Sequence, residues 1–371
     1  ALAHHPLLRL RVRARGGDGR LGVPGRVPDR RARGAVSAKR ALRHLFFGIA
    51  RVGRRPRASR AVRLPTHPGL LAQARAQSEQ PRLNCFIALE AEQALEQARG
   101  LDASRPKAGS AKPLWGVPLA HKDMFYRAGR ITTCGSRIRA DFRPDVTATV
   151  LTRLDDAGAV TVGRLNMAEF ATGPTGHNPH YGACRNPWHT DYITGGSSSG
   201  SGSATAARIV FGAPGSDTGG SVRLPAAACG LFGMKPTQTR VSRFGTMGLS
   251  FSLDNIGPLA RTARDCARLL QTIAGYDERD PTSSQFPVAD YEAATLEPDV
   301  KGLRIGVPRQ YFRDGLEPQV DDALNASLHR FEGLGAQIVE IDMPYANVMG
   351  AMGSAISGVE ALALHRKWIA E

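Results

Sequence analysis

Three observations predict an α/β protein with a mostly parallel or mixed sheet. Short apolar runs of strand length alternate with segments of helical spacing, and both continue from about residue 68 to the end of the chain. The runs are separated by Gly, Pro and Ser clusters. No internal repeat is visible. In order, Leu70, Leu71 and Ala74 open a helix. Leu83 to Ala88 reads as a strand, and Ala91, Ala94, Leu95 and Ala98 form a helix with Glu90, Glu92 and Glu96 on its polar side. A strand follows over 114–120, a helix over 148–157 and a strand over 159–163. A Gly/Ser-rich loop leads into a helix over about 203–210, and another helix spans 263–274. The strand 303–308, the helix 320–334, the strand 337–341 and a last helix running to Glu371 complete the pattern.

With 371 residues, 42% of them hydrophobic, the chain has ample material for a large core. Its formal net charge of +16 points at first toward nucleic acid. Residues 1–65, however, hold 18 basic side chains against Asp18 and Asp29, so the remainder is neutral. This Arg-rich arm has no helical or strand periodicity and is expected to be disordered or non-native, in front of a domain over 66–371. As a transit peptide it is poor in serine, and as an RNA-binding arm it offers only Phe46 and Phe47, so nucleic acid is an expected partner only through this arm. No continuous apolar run reaches the length of a membrane span, and no membrane association is expected. Five scattered cysteines without a Cys-x-x-Cys pair argue against a disulfide framework and a zinc site, and favour a cytoplasmic setting.

Three segments carry chemistry. The tract Thr194 to Ser203 alternates Gly and Ser and leads into a helix, so its successive N–H groups are suited to an anion or oxyanion. It lacks the Lys of a phosphate-binding loop. It also matches Gly-x-Ser-x-Gly around Ser198, but the preceding segment is short and polar, unlike the buried strand a nucleophile elbow needs. The second segment, Gly215 to Pro225, sets Gly219-Gly220 before Ser221, with Asp217 and Arg223 flanking the turn. Backbone N–H groups beside one hydroxyl are the geometry of an oxyanion hole next to a nucleophile, though an ordinary turn with an Asp–Arg pair has the same residues. The third, Gly116 to Asp123, ends an apolar strand on Lys122. Burial there would disfavour the ammonium and make a general base, whereas a salt bridge would make it structural.

In combination these segments resemble the amidase signature family of serine hydrolases. The resemblance covers about residues 80–371 and includes Gly163 to Phe170, Arg185 to Trp188, Gly195 to Ala207, Ser250 to Pro258 and Lys301 to Pro308. It implies a single large domain with a mixed central sheet flanked by helices on both faces. It implies hydrolysis of a linear carboxamide, with Ser221 as nucleophile, Ser197 as bridging serine in a cis peptide and Lys122 as base. The oxyanion donors would be the N–H groups of Thr218, Gly219, Gly220 and Ser221. Ser198, Asp217 and Arg223 would support this network, while Ser199, Ser201 and Ser203 would be solvated or capping residues, and His121 and His177 bystanders. No metal or organic cofactor is implied. The partners expected are a small-molecule amide and, for one assembly, a second copy of the chain. A related reading is the glutamine-hydrolysing subunit of a glutamyl-tRNA amidotransferase. Family members are expected to continue about a hundred residues past Glu371, the scale of a small domain, so a truncated and inactive homologue is a further expectation.

Overall fold

The structure is a computed structural model that describes residues 68–104, 112–296 and 299–369; the Arg-rich arm lies outside the described residues. Helix α1 (Pro68–Leu83) leads into strand β1 (Phe86–Leu89) and helix α2 (Ala91–Ala103). Then come β2 (Pro118–Lys122), α3 (Thr149–Asp156) and β3 (Val160–Leu165). The signature segments form α4 (Ser199–Ala206), β4 (Gly212–Asp217), α5 (Arg223–Cys229), β5 (Phe232–Gly233) and β6 (Asn255–Ala260). The chain continues with α6 (Ala263–Ile273), β7 (Arg304–Pro308), α7 (Pro318–Gly333), β8 (Gln337–Ile341) and α8 (Ala346–Ile369).

Strands β1, β3 and β2 pair in that order, β1 antiparallel and β2 parallel to β3. Strands β4, β6 and β5 pair antiparallel. The two groups meet where β2 lies beside β4: Phe211 N–H donates to Pro118 O at 3.1 Å at one end, and Lys122 Nζ approaches Ser216 Oγ at 2.8 Å at the other. β2 and β4 therefore run in the same direction, and their carboxyl ends, Lys122 and Asp217, open at one edge. That is where side chains and loops of an α/β sheet assemble sites.

Helices cover the sheet through apolar stripes. On α6, Cys266, Leu269, Leu270 and Ile273 are buried at helical spacing, and Thr262 caps the helix by accepting the Asp265 N–H at 3.0 Å. On α3, Val150, Leu151 and Leu154 enter the same cluster as Leu119 and Phe125. α4 is unusual, because Ser199 to Thr205 are all buried although none is large. Only small residues fit: a Cβ on Gly200 would lie 2.3 Å from the carbonyl oxygen of Cys85. This places the start of α4 at Ser199, four residues ahead of the expected position.

The segment 304–369 is built differently. β7 and β8 form a parallel pair bridged by α7, and α7 buries no residue. α8 leaves Val348, Met352, Val359 and Leu362 exposed. The stretch Ala346–Trp368 is long and apolar enough, by length and composition, to cross a membrane. No continuous apolar run of that length occurs in it, because Asn347, Glu360 and its Gly and Ser residues interrupt the pattern while the average stays high. Its contacts with the rest of the fold include polar and aromatic ones. Glu360 accepts from Ser250 and Ser252, and Trp368 stacks on Phe170 at 5.2 Å.

Candidate active site

Lys122 ends β2 with its side chain fully buried. Its ammonium nitrogen lies 2.7 Å from Ser197 Oγ and 2.8 Å from Ser216 Oγ, and no carboxylate is within ion-pair distance among the described residues. Burial pushes its pKa down from 10.5 to about 7, against the opposing charges of Asp254 and Asp217. A lysine in that state exchanges a proton near neutral pH. The salt-bridge alternative is excluded by Asp123, which turns instead to Arg164 at 2.7 Å and to the Thr133 N–H and hydroxyl.

Ser197 precedes α4 in a tight loop. The Gly196–Ser197 peptide is cis, as the resemblance implies. The Ser197 carbonyl accepts the Ala168 N–H at 3.1 Å, and Gly196 N–H donates to Pro174 O at 2.7 Å. Ser198 is buried and not a nucleophile elbow: its hydroxyl is held at 3.3 Å from both the Ser216 carbonyl and the Ser216 N–H. Its own N–H donates to Ser221 O at 3.3 Å, which ties the two signature loops together.

Asp217, the last residue of β4, organises the second loop. It accepts from the N–H groups of Gly220 (2.8 Å), Val222 (3.1 Å) and Arg223 (3.3 Å), and from the Arg223 guanidinium at 2.8 and 3.0 Å. Burial alone would raise its pKa, but these bonds and the Arg223 charge hold it below the usual carboxylate range. The turn so formed needs Gly220 at φ +134, a conformation closed to side-chain-bearing residues, and it sets Ser221 half-buried before α5.

The four-donor oxyanion hole expected from the sequence requires a correction. The Gly220 N–H is spent on Asp217, whose two oxygens collect the turn's donors. The backbone N–H groups of Thr218, Gly219 and Ser221 have no acceptor among the described residues. Thr218 contributes its hydroxyl to Asp254 at 2.5 Å. The hydroxyls of Ser199, Ser201 and Ser203 are not solvated. They are buried in α4 and donate to the carbonyls of Asn166, Pro214 and Arg185. His121 is buried, with a ring nitrogen 3.1 Å from Lys122 O, and burial pushes its pKa down to about 3, so it is neutral. His177 is exposed. All five cysteines are buried and unpaired. Among the described residues no cluster of three His, Cys, Asp or Glu side chains could hold a metal.

Sequence reasoning missed Ser216 and Asp254. Alternation on β4 could have found Ser216, since a residue beside Asp217 on a strand faces the opposite side, here toward Lys122. Asp254 becomes apparent only from the pairing of β4 with β6.

Comparison with known proteins shows the family of the chain. The profile of the family described as Amidase matches residues 70–370. A glutamyl-tRNA(Gln) amidotransferase subunit of Azotobacter vinelandii is 52% identical over 264 residues, covering 71% of this chain and 54% of that protein. The chain thus spans about half the length of the curated relatives it matches. The crystal structure of the corresponding subunit from Thermotoga maritima superposes with a TM-score of 0.71 at 34% identity, covering 80% of this chain and 63% of that one. Native peptide amidase from Stenotrophomonas maltophilia does so with a TM-score of 0.71 at 33% identity, covering 81% and 65%. With its signature segments folded around one buried lysine and two serine loops, the chain belongs to the amidase signature family.

Proposed function

We propose that this chain carries an amidase site that hydrolyses the C–N bond of a linear carboxamide through an acyl-enzyme on Ser221. The observation that carries the reading is the fully buried, hydrogen-bonded pair Lys122–Ser197, 2.7 Å apart, beside the loop that bears Ser221. Serine is a weak nucleophile and requires a base. In this reading neutral Lys122 takes the Ser197 hydroxyl proton as Ser197 takes that of Ser221. The Ser221 oxygen attacks the amide carbon, and the carbonyl electron pair moves to oxygen, where the N–H groups of Thr218, Gly219 and Ser221 stabilise it. Collapse of the intermediate breaks the C–N bond, and Ser197 returns the proton to the departing nitrogen. Water then attacks the ester by the same route, releasing the acid and restoring Ser221. The reading places the enzyme in the cytoplasm, supported by its five unpaired cysteines.

The identity of the amide divides into two readings. A simple carboxamide is one. Glutamine, hydrolysed to deliver ammonia within a multi-subunit amidotransferase, is the other, favoured by the 52% identity to a glutamyl-tRNA(Gln) amidotransferase component. Ammonia release from a panel of carboxamides and from glutamine, with and without the partner subunits, tests both. Release from glutamine that requires the partners selects the second, release from simple carboxamides by the chain alone selects the first, and no release from any of them contradicts the proposal.

A further inference from the structure

The register of the β4–β6 pair brings a further residue to the site. The last residue of β4, Asp217, pairs with the first of β6, Asn255. The residues just beyond this pair, Thr218 and Asp254, therefore face each other across the strand ends. Asp254 Oδ1 accepts the Thr218 hydroxyl at 2.5 Å, while Oδ2 accepts the N–H groups of Leu249 (2.8 Å) and Ser250 (3.0 Å). One oxygen thus holds the first residue of the turn that carries Gly219 and Ser221, and the other closes the loop that enters β6. The loop is held from outside as well, because Glu360 of α8 accepts the Ser252 N–H at 3.0 Å and the hydroxyls of Ser250 and Ser252. Gln238 and Arg243 also donate to the carbonyls of Ser252 and Phe251, so the loop is fixed from several sides.

We propose that Asp254 is a positioning residue for the reaction: through Thr218 it fixes the turn bearing the nucleophile and oxyanion donors. Its charge also opposes the effect of burial on Lys122, which gives the test a second readout. The proposal rests on the amidase reading, and the two can fail separately.

The test is the rate at which a fluorophosphonate labels Ser221, measured against pH, which needs no knowledge of the natural amide. Asp254→Asn removes the charge and leaves one acceptor oxygen, which keeps the Thr218 hydroxyl at the cost of the bonds from the Leu249 and Ser250 N–H groups. Lys122 then loses its proton more readily, so the acid limb of the labelling rate is expected to move to lower pH. Thr218→Val keeps the charge and frees the turn. It is expected to slow labelling by about 100-fold, the scale of a small displacement of reacting groups, with the acid limb unmoved and the rate recovered in Thr218→Ser. An acid limb unmoved in folded Asp254→Asn, or a wild-type rate in Thr218→Val, overturns the positioning role while labelling of the wild type leaves the amidase reading standing. Absence of labelling in the wild type overturns both.

Discussion

The segments 118–260 and 304–369 are both strand–helix units of similar regularity, yet they use their residues in opposite ways. In the first, small and polar residues are buried: Lys122, Ser197, Ser198 and Asp217 all have zero exposure. In the second, large apolar residues are exposed, among them Val359 at 70% and Met352 at 58%. The difference teaches where chemistry can reside. A buried hydroxyl or amine is costly unless hydrogen-bonded, and Lys122, Ser198 and Asp217 each have fixed partners and a fixed direction. Side chains on the exposed face of α8 have neither, and among that segment's contacts with the rest of the fold are those of Glu360, His365 and Trp368 with Ser250 and Phe170.

The largest effects are expected where the buried polar network ends in reactive atoms. Ser221→Ala should reduce amide hydrolysis by at least ~10⁴-fold with an unchanged circular dichroism spectrum. Lys122→Met should cost nearly as much activity. Its melting temperature, read by calorimetry, should not fall, because methionine fills the space without an amine to desolvate. A large fall would make Lys122 structural and weaken the contrast between the segments.

Leu151, buried beneath α3, probes the same segment as packing alone. Its replacement by Ala should cost about 2–5 kcal/mol in denaturant unfolding. The pH dependence sharpens the electrostatic side. Lys122 must be neutral to accept a proton, so kcat/KM should rise as pH passes through about 7 and level off above it. Stability follows with a definite sign. Between about 7 and 10.5 the unfolded chain holds a proton that native Lys122 does not, so this group makes stability increase with pH across that window and contributes no slope above it. The smallest effect is expected in the other segment: Val359→Ser should change stability by no more than about 0.5 kcal/mol. A loss as large as that of Leu151→Ala would show that α8 is packed, and the comparison would break.

The legibility of the sequence follows the same division. β8 is legible at its full extent, Gln337–Ile341, and α6 to within a residue, because their patterns are carried by large apolar side chains. β4 and β6 read poorly. Gly212 to Asp217 contains two glycines and a proline, and becomes a strand only because β6 pairs with it. The start of α4 reads late for a related reason, since Gly and Ser have low helix propensity and are selected there by close backbone approach to Cys85 and Asn166. The roles of Lys122, Ser197 and Ser221 come from the resemblance, and each is expressed in local residues. The direction of the Gly220 N–H and the clamp of Asp254 depend on hydrogen-bond geometry, which composition and spacing do not encode.

The central claim is that a buried lysine acts through Ser197 on Ser221. Mass-spectrometric mapping of a fluorophosphonate adduct, in the wild type and in Ser197→Ala, Ser221→Ala and Lys122→Met, tests it most directly. The account predicts one adduct, on Ser221, absent in Ser221→Ala and strongly slowed in the other two variants. An adduct that survives Ser221→Ala, or forms at the wild-type rate without Lys122, would contradict it.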